Sequence, residues 1–500
     1  MRMRALYLWI CCVVGLGFSA SSVAGSQEGD ERSREEILLE TMHSISSHDL
    51  FAYVEVLSSE KFGGRLTGTE TYNRSADWVA SLLKEWDVKA AGDNGTYFQN
   101  FPNPYTLVLE GSRAILHIPY ENGTTIDKHY QYQTDFLPGS TSDSGEVTAE
   151  VIYVGYGITA PELGFDEYEG LDVTGKIVLV EPEVPVSPRD EPDIFKKWRP
   201  YSFHQYKVKN AKEHGAAGMI YDYHIANPNC QFIKGLVLTY VAPSIVEDVF
   251  QGTGNSHKET KESIQKTRSP QSFQTKKKMT IENVTEHHPD GVAKNVLGYI
   301  EGSDPALKEE VVVIGAHLDH LGYNHEMMPG ANDNASGVAV ALGVAEALSK
   351  MQVKPRRSIL FAFFGAEEQG VRGSEYYLEN PFFPTQKTFG LINLDGVGRG
   401  EKIRAVAGKR YPGLWRFIEA ANQSYIHRVV EPTDFHNLAR PRLDAAHFMW
   451  ADIPSISFGS YGADELPQSV YHKTYDSPEI ITPEIMEDLG RIIFVAVMEM

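Results

Sequence analysis

Apolar positions along the chain follow two regimes. Up to about residue 290 they come in short runs broken by glycine, and beyond Lys294 they form longer blocks joined by helical spacing. In the first regime, residues 35–57 and 72–86 have helical periodicity, the latter with Ala76, Val79, Leu82 and Leu83 on one stripe. Between them lies a glycine-rich turn, Phe62-Gly63-Gly64-Arg65-Leu66-Thr67-Gly68-Thr69. Residues 97–104 predict an extended segment, and 107–117 alternate like a strand. Short strands at 147–154, 177–180 and 219–223 follow, set off by glycines and a helix at 208–214, the pattern of a small β-rich module. The proline- and charge-rich stretch 182–200 reads as an exposed loop, and the basic stretch 258–278 as a loop or sheet edge. No cluster of metal-ligating side chains stands out here, since His204, His214 and His224 are scattered.

The second regime alternates strands and helices. Residues 295–300, 311–316, 358–364, 390–394 and 455–458 are apolar enough to be buried on both faces. Residues 335–350 predict a helix with Val338, Ala341, Leu342, Ala345 and Leu348 on its buried side. The fold class is therefore α/β: a mostly parallel mixed sheet flanked by helices, with the small β-rich module ahead of it. Five hundred residues are too many for one compact core, which agrees with that division.

Charge and the N-terminus narrow the class. A net charge of -21 argues against nucleic-acid binding, which needs a basic footprint. Arg2 and Arg4, an apolar run over 5–18 and Ser22-Val23-Ala24 form a cleavable signal peptide, residues 1–24, too short in its apolar part to span a membrane. The expected location is secreted or periplasmic, with no transmembrane span in the mature chain. Cys11 and Cys12 fall in that leader, so Cys230 is left without an intrachain disulfide partner.

Candidate chemistry comes from the strand ends, because ligands of open α/β sheets bind beyond the carboxyl ends of the strands. His317 and Asp319 follow the second strand, Glu367 and Glu368 the third, and Asp395 the fourth. His472 follows the last strand across a loop, and Asp333 stands just before the helix, where the dipole favours a carboxylate. Singly, each fits a cap, a solvated acid or a satisfied histidine. Together they make two histidines and three carboxylates with Asp319 and Glu367 left over, the inventory of a two-metal hydrolase whose ions lie roughly 3.5–4 Å apart.

His317-Leu318-Asp319, Gly330-Ala331-Asn332-Asp333-Asn334-Ala335-Ser336-Gly337, Gly365-Ala366-Glu367-Glu368 and Asn393-Leu394-Asp395, followed by His472, resemble the motifs of the M28 family of zinc peptidases. The resemblance implies a peptidase domain in two parts, 25–135 and 286–500, split by a protease-associated (PA) domain over 136–285. It also implies two zinc ions: one held by His317 and Asp395, the other by Glu368 and His472, with Asp333 bridging. An oxygen and nitrogen set also accepts cobalt or manganese. Asp319 is expected to orient His317 through its free imidazole N–H, and Glu367 to act as general base towards a metal-bridging water. In an extended segment, Glu367 and Glu368 would point opposite ways. His320 and His325 are left without a ligand role.

The implied activity is an exported exopeptidase acting on peptides, foremost an aminopeptidase. A carboxypeptidase of the same fold remains open, as do a glutaminyl cyclase and a non-catalytic receptor-like binding protein; oligomeric state is undefined. One departure bears on polarity: where the family carries Ser-Asp-His, this chain has Leu443-Asp444-Ala445, with Arg440 and Arg442 nearby. Either arginine suits an oxyanion or a substrate carboxylate. Phe448, Met449 and Tyr461 are candidate apolar walls of a specificity pocket. Asn334-Ala335-Ser336 is a glycosylation sequon inside the proposed metal loop.

Overall fold

The computed structural model describes residues 33–119, 123–434, 443–462 and 470–500. The leader at 1–24, Arg440 and Arg442 lie outside them. Among the described residues, no helix is long and apolar enough to cross a membrane.

The centre of the molecule is the strand Val311–His317, buried along its whole length. Val311, Val312, Val313 and Ile314, all fully buried, each contribute about 1.5–3 kcal/mol through removal of apolar surface from water. The central strand pairs in parallel with Ser358–Phe364 on one side and Thr388–Leu394 on the other, and the latter pairs in parallel with Ser455–Tyr461. Antiparallel strands extend this set on both sides, Val292–Ile300 beside Ser358–Phe364 and Lys402–Val406 beside Ser455–Tyr461, and among the described residues the sheet has nine strands in all. With a parallel centre, antiparallel pairs on either side of it and a parallel edge pair, Lys402–Val406 with Val430–Thr433, the sheet is mixed, as expected.

Helices cover the sheet because their apolar faces have nowhere else to go. Ser336–Lys350 is buried along nearly all its length and packs against Pro483–Glu499 and Ser47–Leu57. Ser47 N donates to Glu487 Oε2 at 2.6 Å, tying the N-terminal helices to the C-terminal one. The periodic stretch 35–57 is two helices, Arg34–His43 and Ser47–Leu57. Each has a serine cap (Ser33, Ser46), which restarts hydrogen bonding after the break.

A second, eight-stranded sheet has Gly145–Tyr153, Ile177–Val180, Gly218–Tyr221 and Val237–Val241 as a parallel set. It also takes in Arg113–Pro119 and Thr125–His129, from upstream of residue 136. Residues 258–278 are neither loop nor edge. Ser256 caps a helix, His257–Thr267, that buries only Ile264, an apolar stripe too thin to register in the sequence. The strand Phe273–Asn283 then runs inside the sheet, with Thr275, Met279 and Ile281 buried and a register shift between Gln274 and Lys277 that disturbs the alternation. Likewise 182–200 contains a helix, Pro192–Trp198, that buries Phe195 and Trp198. The stretch 107–117 is two strands, Tyr105–Val108 and Arg113–Pro119.

Candidate metal centre

Parallel pairing brings three strand ends to one edge. His317 lies opposite Phe364, Gly315 opposite Asn393, and Leu394 opposite Phe458, so His317, Glu367–Glu368 and Asp395 leave the sheet together. His317 Nε2 stands 3.2 Å from Asp333 Oδ1 and 3.5 Å from Asp395 Oδ1. His472 Nε2 stands 2.9 Å from Glu368 Oε2 and 3.5 Å from Asp333 Oδ2. The two oxygens of Asp333 thus face different histidines. His317, Asp333 and Glu368 offer ligand atoms all within 4.8 Å of one another.

The surrounding side chains hold these groups in place. Arg65, fully buried, directs Nε at Leu318 O (2.9 Å), Nη1 at Leu57 O (2.7 Å) and Pro329 O (2.8 Å), and Nη2 at Gly330 O (2.8 Å). It staples both ends of the loop between His317 and Asp333. The turn before it needs Gly64 (φ 67°): a Cβ there would lie 2.4 Å from Gly322 O. Asp476 accepts from Asn332 N (2.7 Å) and Asp333 N (2.9 Å), and Asn334 links the same loop to Leu394 O (2.8 Å) and Gly396 N (3.2 Å). The buried Asn334 amide is committed to these bonds and leaves no room for a glycan. Asp476 had no place in the sequence argument. Its only signal was its position four residues after His472.

Two second-row groups differ from expectation. His317 Nδ1 meets the main-chain oxygen of Asp319 at 3.2 Å, while the nearest carboxylate oxygen is 3.7 Å away. The Asp319 carboxylate instead accepts from Glu367 N (3.1 Å) and Glu368 N (3.3 Å), fixing the acidic pair. That pair is not extended: Ala366 has φ 57°, and Gly370 N and Val371 N both return to Glu367 O, a tight turn. His320, given no ligand role, contacts Glu368 Oε1 through Nδ1 at 2.8 Å. His325 stacks on Tyr132.

Burial and crowding set the proton affinities. Burial pushes the Glu367 carboxyl well up, and the charges of Glu368, Asp395 and Asp444 add to it against the pull of His317. Burial also acts on Glu368, but His472 and His320 overrule it and hold its carboxyl at about 2. Burial pulls His472 down, yet Glu368 and Asp333 raise it to about 10. Asp444 rises to about 7, chiefly through burial. These are the signs of an acidic cluster built for a cation. His472 Nε2 is buried and makes no hydrogen bond despite its 2.9 Å approach to Glu368, as expected of atoms aimed at a shared point. Imidazole and carboxylate donors without a thiolate fit zinc.

Of the proposed pocket walls, Phe448 and Met449 belong to the core, Phe448 stacked on Tyr377. Tyr461 borders a small cavity of about 60 Å³ beside Asp333, Tyr471 and Asp476. The insert does gather one acidic group, Glu181, Asp222 and His257, which the sequence did not disclose. Lys261 Nζ lies 2.5 Å from Glu181 Oε2 and already supplies the countercharge.

The chain is similar to known proteins in two regions. Residues 295–497 match the model of peptidase family M28, and residues 147–235 that of the PA domain. The chain therefore carries one region similar to family M28 peptidases and, ahead of it, one similar to PA domains. It is 31% identical over 166 residues to leupeptin-inactivating enzyme 1 of Streptomyces exfoliatus, spanning 32% of this chain and 34% of that protein. It is 26% identical over 354 residues to an aminopeptidase of Pseudomonas aeruginosa, spanning 69% of this chain and 56% of that one. The matches thus span about half or less of these relatives' own lengths. Among solved structures, an aminopeptidase from an Aneurinibacillus species shares the fold with a TM-score of 0.63 and 21% identity, over 92% of this chain and 95% of that one. A zinc aminopeptidase from Bacillus subtilis shares it at 0.58 and 20%, over 91% and 95%.

Proposed function

We propose that this protein is an exported two-zinc aminopeptidase that removes N-terminal residues from peptides. The observation that carries the reading is Asp333, whose two oxygens face His317 and His472 separately. His317 and Asp395 would hold one zinc, Glu368 and His472 the other, and Asp333 both. Bound zinc supplies Lewis acidity, acidifying water and stabilising negative charge on the peptide carbonyl oxygen. Glu367, outside the ligand set, takes the proton from the attacking water, keeps it on its carboxyl, and returns it to the departing amine nitrogen. Asp319 holds Glu367 in position through the main chain.

Arg65, buried beside the centre, is committed to main-chain carbonyls and so is not free to receive a substrate carboxylate, which favours the amino end of a peptide. The aminopeptidase relatives support the same polarity. The pattern of charge, apolar run and small residues over 1–24 supports export.

The test is Glu367→Gln together with paired peptides blocked at one terminus. The variant is expected to lose about 10²–10⁴-fold in kcat with zinc content unchanged. The wild type is expected to cleave peptides with a free amino terminus and spare N-acetylated ones. Residual turnover near wild type would remove Glu367 from its role, and cleavage of N-acetylated peptides would replace aminopeptidase with carboxypeptidase.

A further inference from the structure

We infer that the loop 222–229 of the inserted module is a working part of the metal centre. Its Ala226 carbonyl selects the tautomer of His472 and so sets how tightly the Glu368–His472 side holds its ion. The inference rests on the two-zinc reading above. His472 Nδ1 lies 2.6 Å from Ala226 O, and both residues are buried. A carbonyl oxygen can only accept, so Nδ1 carries a proton, and Nε2, which faces Glu368 and Asp333, is left as the nitrogen whose lone pair a zinc ion there would take. Histidine ligands rely on such a partner for ring orientation and basicity. Here the partner comes 246 positions away in sequence, from a different layer of the molecule.

The loop is held firmly enough to do this. Tyr240 Oη donates to Asn227 O at 2.7 Å, immediately after the acceptor residue. Gln205 Nε2 donates to Asn229 O at 3.0 Å and Oδ1 at 2.6 Å. Lys473, next to His472, donates to His224 O at 2.7 Å and closes the contact from the peptidase side. The loop also abuts the turn that carries Glu367 and Glu368, since a Cβ on Gly370 would lie 3.1 Å from Asn229 Oδ1.

The insert braces the opposite side of the site as well. Leu321 and Met328, from the loop between His317 and Asp333, are buried in the insert's own core, and Asn324 Nδ2 donates to Pro138 O at 3.1 Å. The insert therefore forms a fixed wall touching both ligand-bearing segments. Ala226 acts through His472 as a positioning residue.

The experiment uses the full-length holoenzyme and measures zinc by competition with a chelator. Tyr240→Phe combined with Gln205→Ala frees the loop without touching a proposed ligand, and Lys473→Met frees it from the other side. Each is expected to weaken one of the two zincs about 10–100-fold and leave the other unchanged. Lys473→Arg, which keeps a donor for His224 O, is expected to restore it. In ¹⁵N-histidine spectra, the wild-type His472 ring is expected to be protonated at Nδ1, and that signature should weaken in the loosened variants. Equal retention of both zincs in both loosened variants, or a His472 protonated at Nε2, would overturn the inference. A wild type that binds no zinc would overturn the metal reading and this inference with it.

Discussion

Arg65→Met replaces a buried guanidinium by a side chain of similar length without donors. In the native protein Arg65 serves four main-chain carbonyls, those of Leu57, Leu318, Pro329 and Gly330, from a position with no solvent exposure. Burial lowers its pKa to about 10, so it is charged at neutral pH. Hydrogen bonds to charged groups contribute about 1.5–3 kcal/mol each, so four give a gross loss of about 6–12 kcal/mol. Relief from burying the charge returns several kcal/mol of that. The net expectation is about 4 kcal/mol of destabilisation, about a thousandfold in the folding equilibrium. Urea unfolding of zinc-saturated protein measures it as a lower midpoint with unchanged slope. Arg65→Lys should recover only part, because an ammonium cannot address carbonyls on three sides with the fixed fork of a guanidinium. Because three of the carbonyls flank the loop from His317 to Asp333, zinc loss should accompany the fall in stability. An Arg65→Met protein within 1 kcal/mol of wild type would refute the staple.

Three further outcomes follow from the same contacts. Asp476→Ala leaves Asn332 N and Asp333 N without their acceptor and should cost about 2 kcal/mol, with zinc affinity at least tenfold weaker by chelator competition. Burial pushes the Glu181 carboxyl up, but His257 and Lys261 overrule it and hold it below the usual range, so its contribution is complete at neutral pH and is lost as pH falls below about 4.3. Glu181→Gln should therefore destabilise the insert by about 3 kcal/mol at pH 7 and flatten its acid sensitivity, read by thermal unfolding against pH. Stripping zinc with a chelator should lower the unfolding temperature of the wild type, and added zinc should restore it, because ligand binding to the native state alone stabilises it.

The sequence alone determined the α/β class and the candidate ligands, because both depend on local signals. Continuous apolar strands declare a buried sheet, and a parallel sheet puts the polar residues that follow them at one edge. Thus His317, Glu368 and Asp395 could be nominated from their distance to the preceding apolar run, and His472 and Asp333 from their motifs. What holds those groups was invisible, because it depends on contacts between distant segments. Arg65 was visible in a glycine-rich turn, but its four acceptors come from separate places in the chain. Asp476 and His320 looked like ordinary polar neighbours until folding set one against Asp333 and the other against Glu368. The helix His257–Thr267 and strand Phe273–Asn283 were masked by lysine-rich outer faces, since their few buried residues gain meaning only beside their partners. The bond from His472 to Ala226 depends on a main-chain carbonyl, which every residue possesses, so no choice of side chain could announce it. Only the tertiary structure, by packing the insert against the peptidase layer, decided which carbonyl that would be.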